Sequence, residues 1–379
     1  MPQLTLLTSE FSPFRGGIGA VAREFAQAAS MLGCDVEVLA PDYLGAANPA
    51  EDAVAPYAIR RYRAGPYGAR WLPAYLRAAL GAARDPGAGR LLAADGAFAE
   101  ALALTRPLHG RQYDAIFHGS EVLRATETFK GRLTGPRRFL GGPRRIFANS
   151  AFTRGLLLSR APYVDPGRVT VAPLGVGSQW FDPADPDALR VRLGLGDARI
   201  VACAGRICPR KGQLNLLRAM ASCPSPEGLA VVIAGRVARQ DHAYLAALRA
   251  EAAAASRVRV VFAEDLDDDA MRGLFAAAEL FCLPGSARTR AVEGFGLVFL
   301  EAAAQGIPAV AGAVGGVPEA VLDGRTGVLV PPDDPHALGA GLADLLADAP
   351  QRKALGAAAR AHARVFTWDR FARIVLERA

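Results

Sequence analysis

Glu293-Gly294-Phe295-Gly296-Leu297-Val298-Phe299-Leu300-Glu301 is the stretch whose reading decides the fold. It follows an apolar run, Leu280-Phe281-Cys282-Leu283-Pro284, that reads as a buried strand ending at a Pro-Gly turn. The spacing predicts a helix over 295–305, stopped at Gly306-Ile307-Pro308. Gly294 and Gly296 then stand at the helix start, where backbone N–H groups lack intrahelical partners and can bind an anion. Glu301 falls inside the helix among Val298, Phe299, Leu300, Ala302 and Ala303. A carboxylate in such company is costly unless it is hydrogen-bonded, and a ribose diol would supply those bonds. Strand, glycine loop, helix start and inward carboxylate together point to a sugar-nucleotide site.

Outward from this stretch the chain reads as two successive α/β units. In the second, strands are expected at 200–204, 230–234, 259–262, 280–283, 309–311 and 328–330, with helices between. In the first, residues 4–8 read as a strand. A loop with Pro13, Gly16 and Gly17 follows, then a helix over 18–31 that Gly33 ends. Further strands are expected at 36–40, 115–117 and 145–148, and the proline-rich stretch 166–186 reads as the crossing between units. Alternating strands and helices imply parallel sheets covered on both faces. Ligands bind such sheets at the carboxyl ends of the strands, here in the cleft between the units.

Glu293 and Glu301, with seven residues between, resemble the E-x7-E motif of the retaining, nucleotide-sugar-dependent glycosyltransferases of family 4. The likeness continues through Ala302-Ala303-Ala304-Gln305-Gly306-Ile307-Pro308 and from Gly315-Gly316-Val317-Pro318-Glu319 to Pro332. It covers nearly the whole chain and is strongest after residue 145. The resemblance implies the GT-B fold, two Rossmann-like domains facing across a cleft. It places an acceptor domain at 1–178, a donor domain at 179–362, and at 363–379 a terminal helix crossing back to the first. It also implies transfer of a hexose, mannose slightly favoured over the sugars of UDP donors, from a nucleoside diphosphate sugar to a glycan, lipid-linked or small-molecule acceptor, with no metal or other cofactor.

Further residues take roles from the same resemblance. Arg206 and Lys211, in the pattern G-R-x4-K-G after strand 200–204, are a fork and a point charge suited to a diphosphate. Arg210, which fits the pattern less well, is expected to be solvated. The helix start Gly294, Phe295, Gly296 and Leu297 would add N–H groups for the same charge. Glu293 would meet the sugar hydroxyls and Glu301 the ribose, with Asp265 and Leu266 lining the base pocket. Gly16 and Gly17 would bring backbone against donor or acceptor. His118, at a strand end in Phe117-His118-Gly119-Ser120-Glu121, matches the family's active-site histidine, and Glu121 is a candidate for acceptor hydroxyls. Asn149-Ser150-Ala151-Phe152-Thr153 resembles a family step whose hydroxyls could equally cap a helix. The catalytic set is therefore His118, Arg206, Lys211 and Glu293.

Two rival classes compete. Gly17-x-Gly19-x-x-Ala22, with Asp42 downstream, fits a dinucleotide fingerprint and hence an NAD-dependent oxidoreductase, but that fingerprint needs its glycines immediately after the strand. A catalytically silent binding protein on the same fold is the other. Asp265-Leu266-Asp267-Asp268-Asp269 resembles a D-x-D metal site, yet it stands where a helix begins and reads as its cap.

Composition bounds the rest. A length of 379 residues fits two domains. The chain has no apolar run long enough to span a bilayer, and its first residues read as a strand rather than a signal peptide. Cys34, Cys203, Cys208, Cys223 and Cys282 form no C-x-x-C pair and are expected to be buried thiols of a reducing cytoplasm. Residues 1–180 carry 21 Lys/Arg against 14 Asp/Glu, a net +7, whereas residues 181–379 carry 23 of each. A basic acceptor half suits an anionic, phosphate-bearing partner, such as the inner face of a membrane holding the protein peripherally. The expected contact is 60–84, where Trp71, Leu72, Tyr75 and Leu76 interleave with arginines. Nucleic acid is not an expected partner.

Overall fold

Continuous runs of buried aliphatic residues become parallel strands because only a sheet covered on both faces hides every side chain of such a run. In the computed structural model, which describes residues 3–14, 16–47, 49–65, 69–128, 135–222, 227–255, 258–289 and 291–377, these strands form two sheets in two compact units. One unit comprises Met1–Gly175 with Thr367–Ala379, the other Val176–Phe366.

The first sheet holds β1 (Gln3–Leu7), β2 (Asp35–Pro41), β3 (Ala58–Tyr62), β4 (Arg90–Ala93), β5 (Tyr113–Phe117), β6 (Ile146–Ala148) and β7 (Val169–Val171). Their order is β3-β2-β1-β4-β5-β6-β7, and every pairing is parallel. The second holds β8 (Arg199–Ala204), β9 (Leu229–Ala234), β10 (Arg259–Ala263), β11 (Leu280–Leu283), β12 (Ala309–Gly312) and β13 (Gly327–Val330), ordered β10-β9-β8-β11-β12-β13, again all parallel. Strand order therefore reverses between β1 and β4 and between β8 and β11. At such switch points the loops leave in opposite directions and open a crevice at the strands' carboxyl ends. Both glycine-rich motifs follow a strand at one of these points.

Three strands, β3, β4 and β7, were not expected. β3 hides behind its arginines. Arg60 pairs with Glu37 of β2 at 2.9 Å, and Arg61 pairs with Asp52 at 2.5 Å while donating to the carbonyls of Ser12 and Pro41. As an outermost strand, β3 tolerates such charge. β7 lies inside the stretch read as the crossing, which contracts to the step between Gly175 and Val176.

The proposed membrane contact at 60–84 is corrected in its apolar half. Helix Leu72–Arg84 turns Tyr75 into the core, and Trp71 and Leu76 pack against the same cluster beside Phe98. These side chains hold the helix on the first sheet, and the buried Tyr75 is not free to enter a bilayer. Among the described residues no helix is long and apolar enough to cross a membrane.

Cys34, Cys203, Cys208 and Cys282 are free and buried; Cys223 lies outside the described residues. Burial pushes the Cys203 thiol up to about 12, against a smaller opposing pull from Lys211, and raises Cys282 well above the usual thiol value. The terminal helix Trp368–Leu376, capped by Thr367 at 3.1 Å, packs on helix Gly17–Met31 with the Phe25 and Phe371 rings edge to face.

Candidate active site

In the second unit, β8 runs into Gly205 and the exposed Arg206. A short 3-10 turn, Pro209–Lys211, and the left-handed Gly212 (φ 72°) then lead into helix Gln213–Ser222. The loop is stitched in place. Gly285 N–H, just past β11, donates to the Lys211 carbonyl at 3.1 Å, and Gln213 Nε2 donates to the Arg206 carbonyl at 2.9 Å. This brackets Arg206 and Lys211 at the β8/β11 switch point.

Glu293 lies against the same turn. Lys211 Nζ donates to its Oε2 at 2.7 Å, and Arg210 Nη1 donates to that same oxygen at 2.5 Å. Side-chain exposures of 10% for Lys211, 22% for Arg210 and 15% for Glu293 mean that little water screens the triad. Burial alone drives the Glu293 pKa upward, but the two cations and their hydrogen bonds outweigh it and hold the carboxyl down at about 2. Glu293 is therefore a permanent hydrogen-bond acceptor. Arg210, expected to be solvated, is one of its two side-chain partners among the described residues; the 3-10 turn brings adjacent side chains onto one oxygen.

The segment after Glu293 is a turn built on close backbone approach. Gly316 N–H donates to the Glu293 carbonyl at 2.8 Å, and a Cβ on Gly316 would stand 2.1 Å from the Gly294 carbonyl oxygen. Gly296, at φ 91°, is the cap of helix Leu297–Ala304 and offers no side chain to its first-turn N–H groups. The helix starts two residues later than expected. Phe295 is buried against Phe366, with ring centroids 5.5 Å apart. Glu301 lies half-buried on the face shared with Leu297 and Val298, while Phe299, Leu300 and Ala302–Ala304 fill the core. Asp265, in the left-handed region at φ 59°, pairs with Arg236, and Leu266 is half-buried beside it. Asp267 caps helix Asp268–Ala277, accepting from Ala270 N–H at 2.8 Å, which is the role read for this acidic run.

In the first unit, the β1/β4 switch point is knitted by Asp95. Its carboxylate accepts from Ser9 N–H at 2.6 Å and caps helix Gly96–His109 through Ala97 and Phe98. Gly16 caps helix Gly17–Met31, and a Cβ there would come within 2.0 Å of the buried Glu10 carboxylate. A Cβ on Gly17 would meet nothing within 4 Å, which leaves open space beside the backbone. His118 follows β5 half-buried, with Nε2 2.9 Å from the Ala94 carbonyl. That bond requires the proton on Nε2, so the neutral ring presents Nδ1 as an acceptor. The Glu121 carboxylate folds back to accept from His118 N–H, just ahead of helix Ser120–Glu127. Ser150 accepts from Thr153 N–H at 3.0 Å, so its hydroxyl serves as a helix cap.

The dinucleotide reading fails on geometry. Residues 8–16 separate β1 from its helix, and the Asp42 carboxylate is already engaged by Leu44 N–H at 2.9 Å and Ala64 N–H at 3.0 Å. Sequence reasoning missed Arg210, Asp95 and the Gly315-Gly316 support. Only the double glycine carried a signal, since adjacent glycines mark a backbone that packs against backbone.

Comparison with known proteins agrees with this geometry. The family described as Glycosyl transferases group 1 matches residues 186–362, and Glycosyltransferase Family 4 matches residues 15–179. The chain belongs to the family-4, GT-B glycosyltransferases. One relative, a GDP-mannose-dependent alpha-(1-6)-phosphatidylinositol monomannoside mannosyltransferase of Mycolicibacterium smegmatis, is 39% identical over 198 residues, 50% of each chain. Another, a D-inositol 3-phosphate glycosyltransferase of Mycobacterium avium, is 39% identical over 243 residues, covering 63% of this chain and 55% of the relative. The chain thus spans about half the length of the curated relatives it matches. Solved structures share the fold across the whole chain. Sucrose-phosphate synthase of Thermosynechococcus elongatus superposes with a TM-score of 0.82 at 22% identity, covering 100% of this chain and 98% of the other. HepE of Anabaena, solved with UDP and glucose, gives 0.80 at 19% identity, covering 100% and 99%.

Proposed function

We propose that this protein is a retaining glycosyltransferase that moves a hexose from a nucleoside diphosphate sugar to an acceptor hydroxyl. The observation that carries the reading is the Glu293 carboxylate held by Lys211 and Arg210 immediately before the Gly294–Gly296 turn and an uncapped helix start. Lys211 and the first-turn N–H groups gathered at one switch point suit a diphosphate. They stabilise the negative charge that develops on it as the glycosidic bond breaks. Arg206 adds a guanidinium at the end of β8. Glu293, ionised at every physiological pH, accepts hydrogen bonds from the sugar hydroxyls, and Glu301 accepts from the ribose. The departing phosphate oxygen takes the acceptor's proton on the face it leaves, so configuration is retained and no strong enzymic base is needed. His118 offers Nδ1 as an acceptor to a hydroxyl of sugar or acceptor. Gly17 lets a ligand approach its backbone.

GDP-mannose is the favoured donor, supported by relatives whose names specify it. Those names also specify phosphatidylinositol mannosides and inositol phosphate, so a hydroxylated ring bearing phosphate is the acceptor class proposed here. The +7 charge of residues 1–180 complements such an acceptor and a peripheral seat on the cytoplasmic face of an anionic membrane. No metal takes part in the proposed reaction. A thermal-shift panel of GDP, UDP, ADP and dTDP tests the reading. A nucleotide at 100 times its dissociation constant stabilises by about 2.7 kcal/mol, and GDP is expected to give the largest shift. A panel with no shift removes the nucleotide-sugar assignment.

A further inference from the structure

Two cations share one carboxylate oxygen in the second unit, and one of them is redundant unless the other has to leave. Lys211 Nζ and Arg210 Nη1 both donate to Glu293 Oε2. Resting on the proposed function, we propose that Arg210 is a positioning residue, which holds the Glu293 carboxylate in place while Lys211 turns from it to the donor diphosphate.

The two side chains are built for different tasks. The Lys211 ammonium is a compact point charge on a flexible stem, whereas the Arg210 guanidinium is a rigid fork that cannot lose its charge. The backbone beneath them is fixed. Lys211 N–H donates to Cys208 at 3.0 Å, Gly212 N–H to Pro209 at 3.2 Å, and Gly285 N–H to the Lys211 carbonyl at 3.1 Å. Motion is therefore confined to the side chains. With Lys211 as sole partner, moving it onto a phosphate would strand a shielded carboxylate, and removing one member of such a pair is strongly destabilising. Donor binding would be opposed by that penalty. With Arg210 in place, the oxygen keeps a charged donor throughout. On the other side of Glu293 the packing is backbone, through Gly315 and Gly316, and among the described residues Lys211 and Arg210 are the cations its carboxylate meets.

A double-mutant cycle on nucleotide binding tests this, because GDP and UDP carry the diphosphate without the sugar that Glu293 would contact. Calorimetry on the full chain compares wild type, Arg210→Gln, Glu293→Gln and the double variant. Arg210→Gln is expected to weaken binding of the better nucleotide about tenfold in the wild-type background, but less than about threefold once Glu293→Gln has released Lys211. Arg210→Lys, which keeps a cation within reach of Oε2, is expected to restore binding to within about threefold. Equal losses in both backgrounds would mean that Arg210 grips the phosphate itself, and would overturn the proposal. So would wild-type affinity in Arg210→Gln, or a loss in Arg210→Lys as large as in Arg210→Gln. Wild-type protein that binds neither nucleotide sinks the proposed function and this inference with it.

Discussion

Replacing Glu293 with Gln removes a carboxyl that titrates near pH 2 in the folded chain against an ordinary 4.5, and this makes a quantitative prediction about acid stability. A carboxyl depressed on folding stabilises the native state above its unfolded pKa, and that stabilisation drains away as pH falls toward the folded value. The side chain is only 15% exposed, so solvent screening is slight. A difference of roughly 2.5 pKa units corresponds to about 3 kcal/mol. By linkage, about 1 kcal/mol of this is gone at pH 4 and about 2 kcal/mol at pH 3, both relative to pH 7. Trp180 lies in the second unit, near Phe275, whereas Trp71 and Trp368 belong to the first. With those two replaced by Phe, denaturant unfolding followed by Trp180 fluorescence reports the second unit alone. The Glu293→Gln variant leaves Arg210 and Lys211 facing each other at every pH compared, so that penalty cancels from the change in the gap. The stability gap between parent and variant should therefore narrow by about 2 kcal/mol from pH 7 to pH 3. A gap that stays level across that range refutes the ionised triad.

Lys211→Ala and Arg206→Ala should each lower turnover on the order of 10²–10³-fold with the fold intact, as loss of a preorganised charge does, and steady-state kinetics on both variants checks this. Gly17→Ala, whose Cβ meets nothing within 4 Å, should fold normally yet lose activity if substrate approaches that backbone; full activity would place the ligand elsewhere. Gly316→Ala sets a Cβ against the Gly294 carbonyl, which cannot yield, so the second unit should lose about 1–3 kcal/mol and donor KM should rise, measured by unfolding and kinetics together. Transfer should persist in excess EDTA; loss on chelation with recovery in Mn²⁺ would give the acidic run at 265–269 a metal role.

The second sheet was legible because β8, β9, β11 and β12 are buried on both faces and read as apolar runs beside glycine or proline, while the half-buried β10 and β13 still carry enough apolar residues to be read. In the first, β1, β2, β5 and β6 were legible, while the two outermost strands and the central β4 were not. β3 reads as Ala58-Ile59-Arg60-Arg61-Tyr62, and nothing local says that Glu37 and Asp52 neutralise its arginines. β4 opens on Arg90 and β7 has Thr170 at its centre, so neither reads as an apolar run. At the candidate site, the resemblance to family 4 pointed to Glu293 and Lys211, and the structure brings these two together beside the glycine turn. The pairing of Arg210 with Glu293 joins residues far apart in sequence, and Arg210 reads as an ordinary surface arginine until the 3-10 turn sets its direction. The Glu121 carboxylate bonds back to His118 N–H, a local device that side-chain chemistry alone does not distinguish from a ligand contact.

The second unit is an insertion. The chain leaves the first at Gly175 and re-enters it at Thr367, and the two crossings run side by side: Val176 N–H donates to the Phe366 carbonyl at 3.0 Å, and a Cβ on Gly175 would strike the Trp368 backbone. Order along the gene is therefore not order of completion. The inserted unit holds all its strands by residue 330, while the unit that begins the chain still lacks the helix whose Phe371 covers Phe25 and whose Val375 carbonyl receives Arg90 at 2.8 Å. Domains ordinarily finish from the N-terminus as they are made. Here the first-begun is finished last, and a stop codon at position 367 would open the N-terminal unit while sparing the C-terminal one.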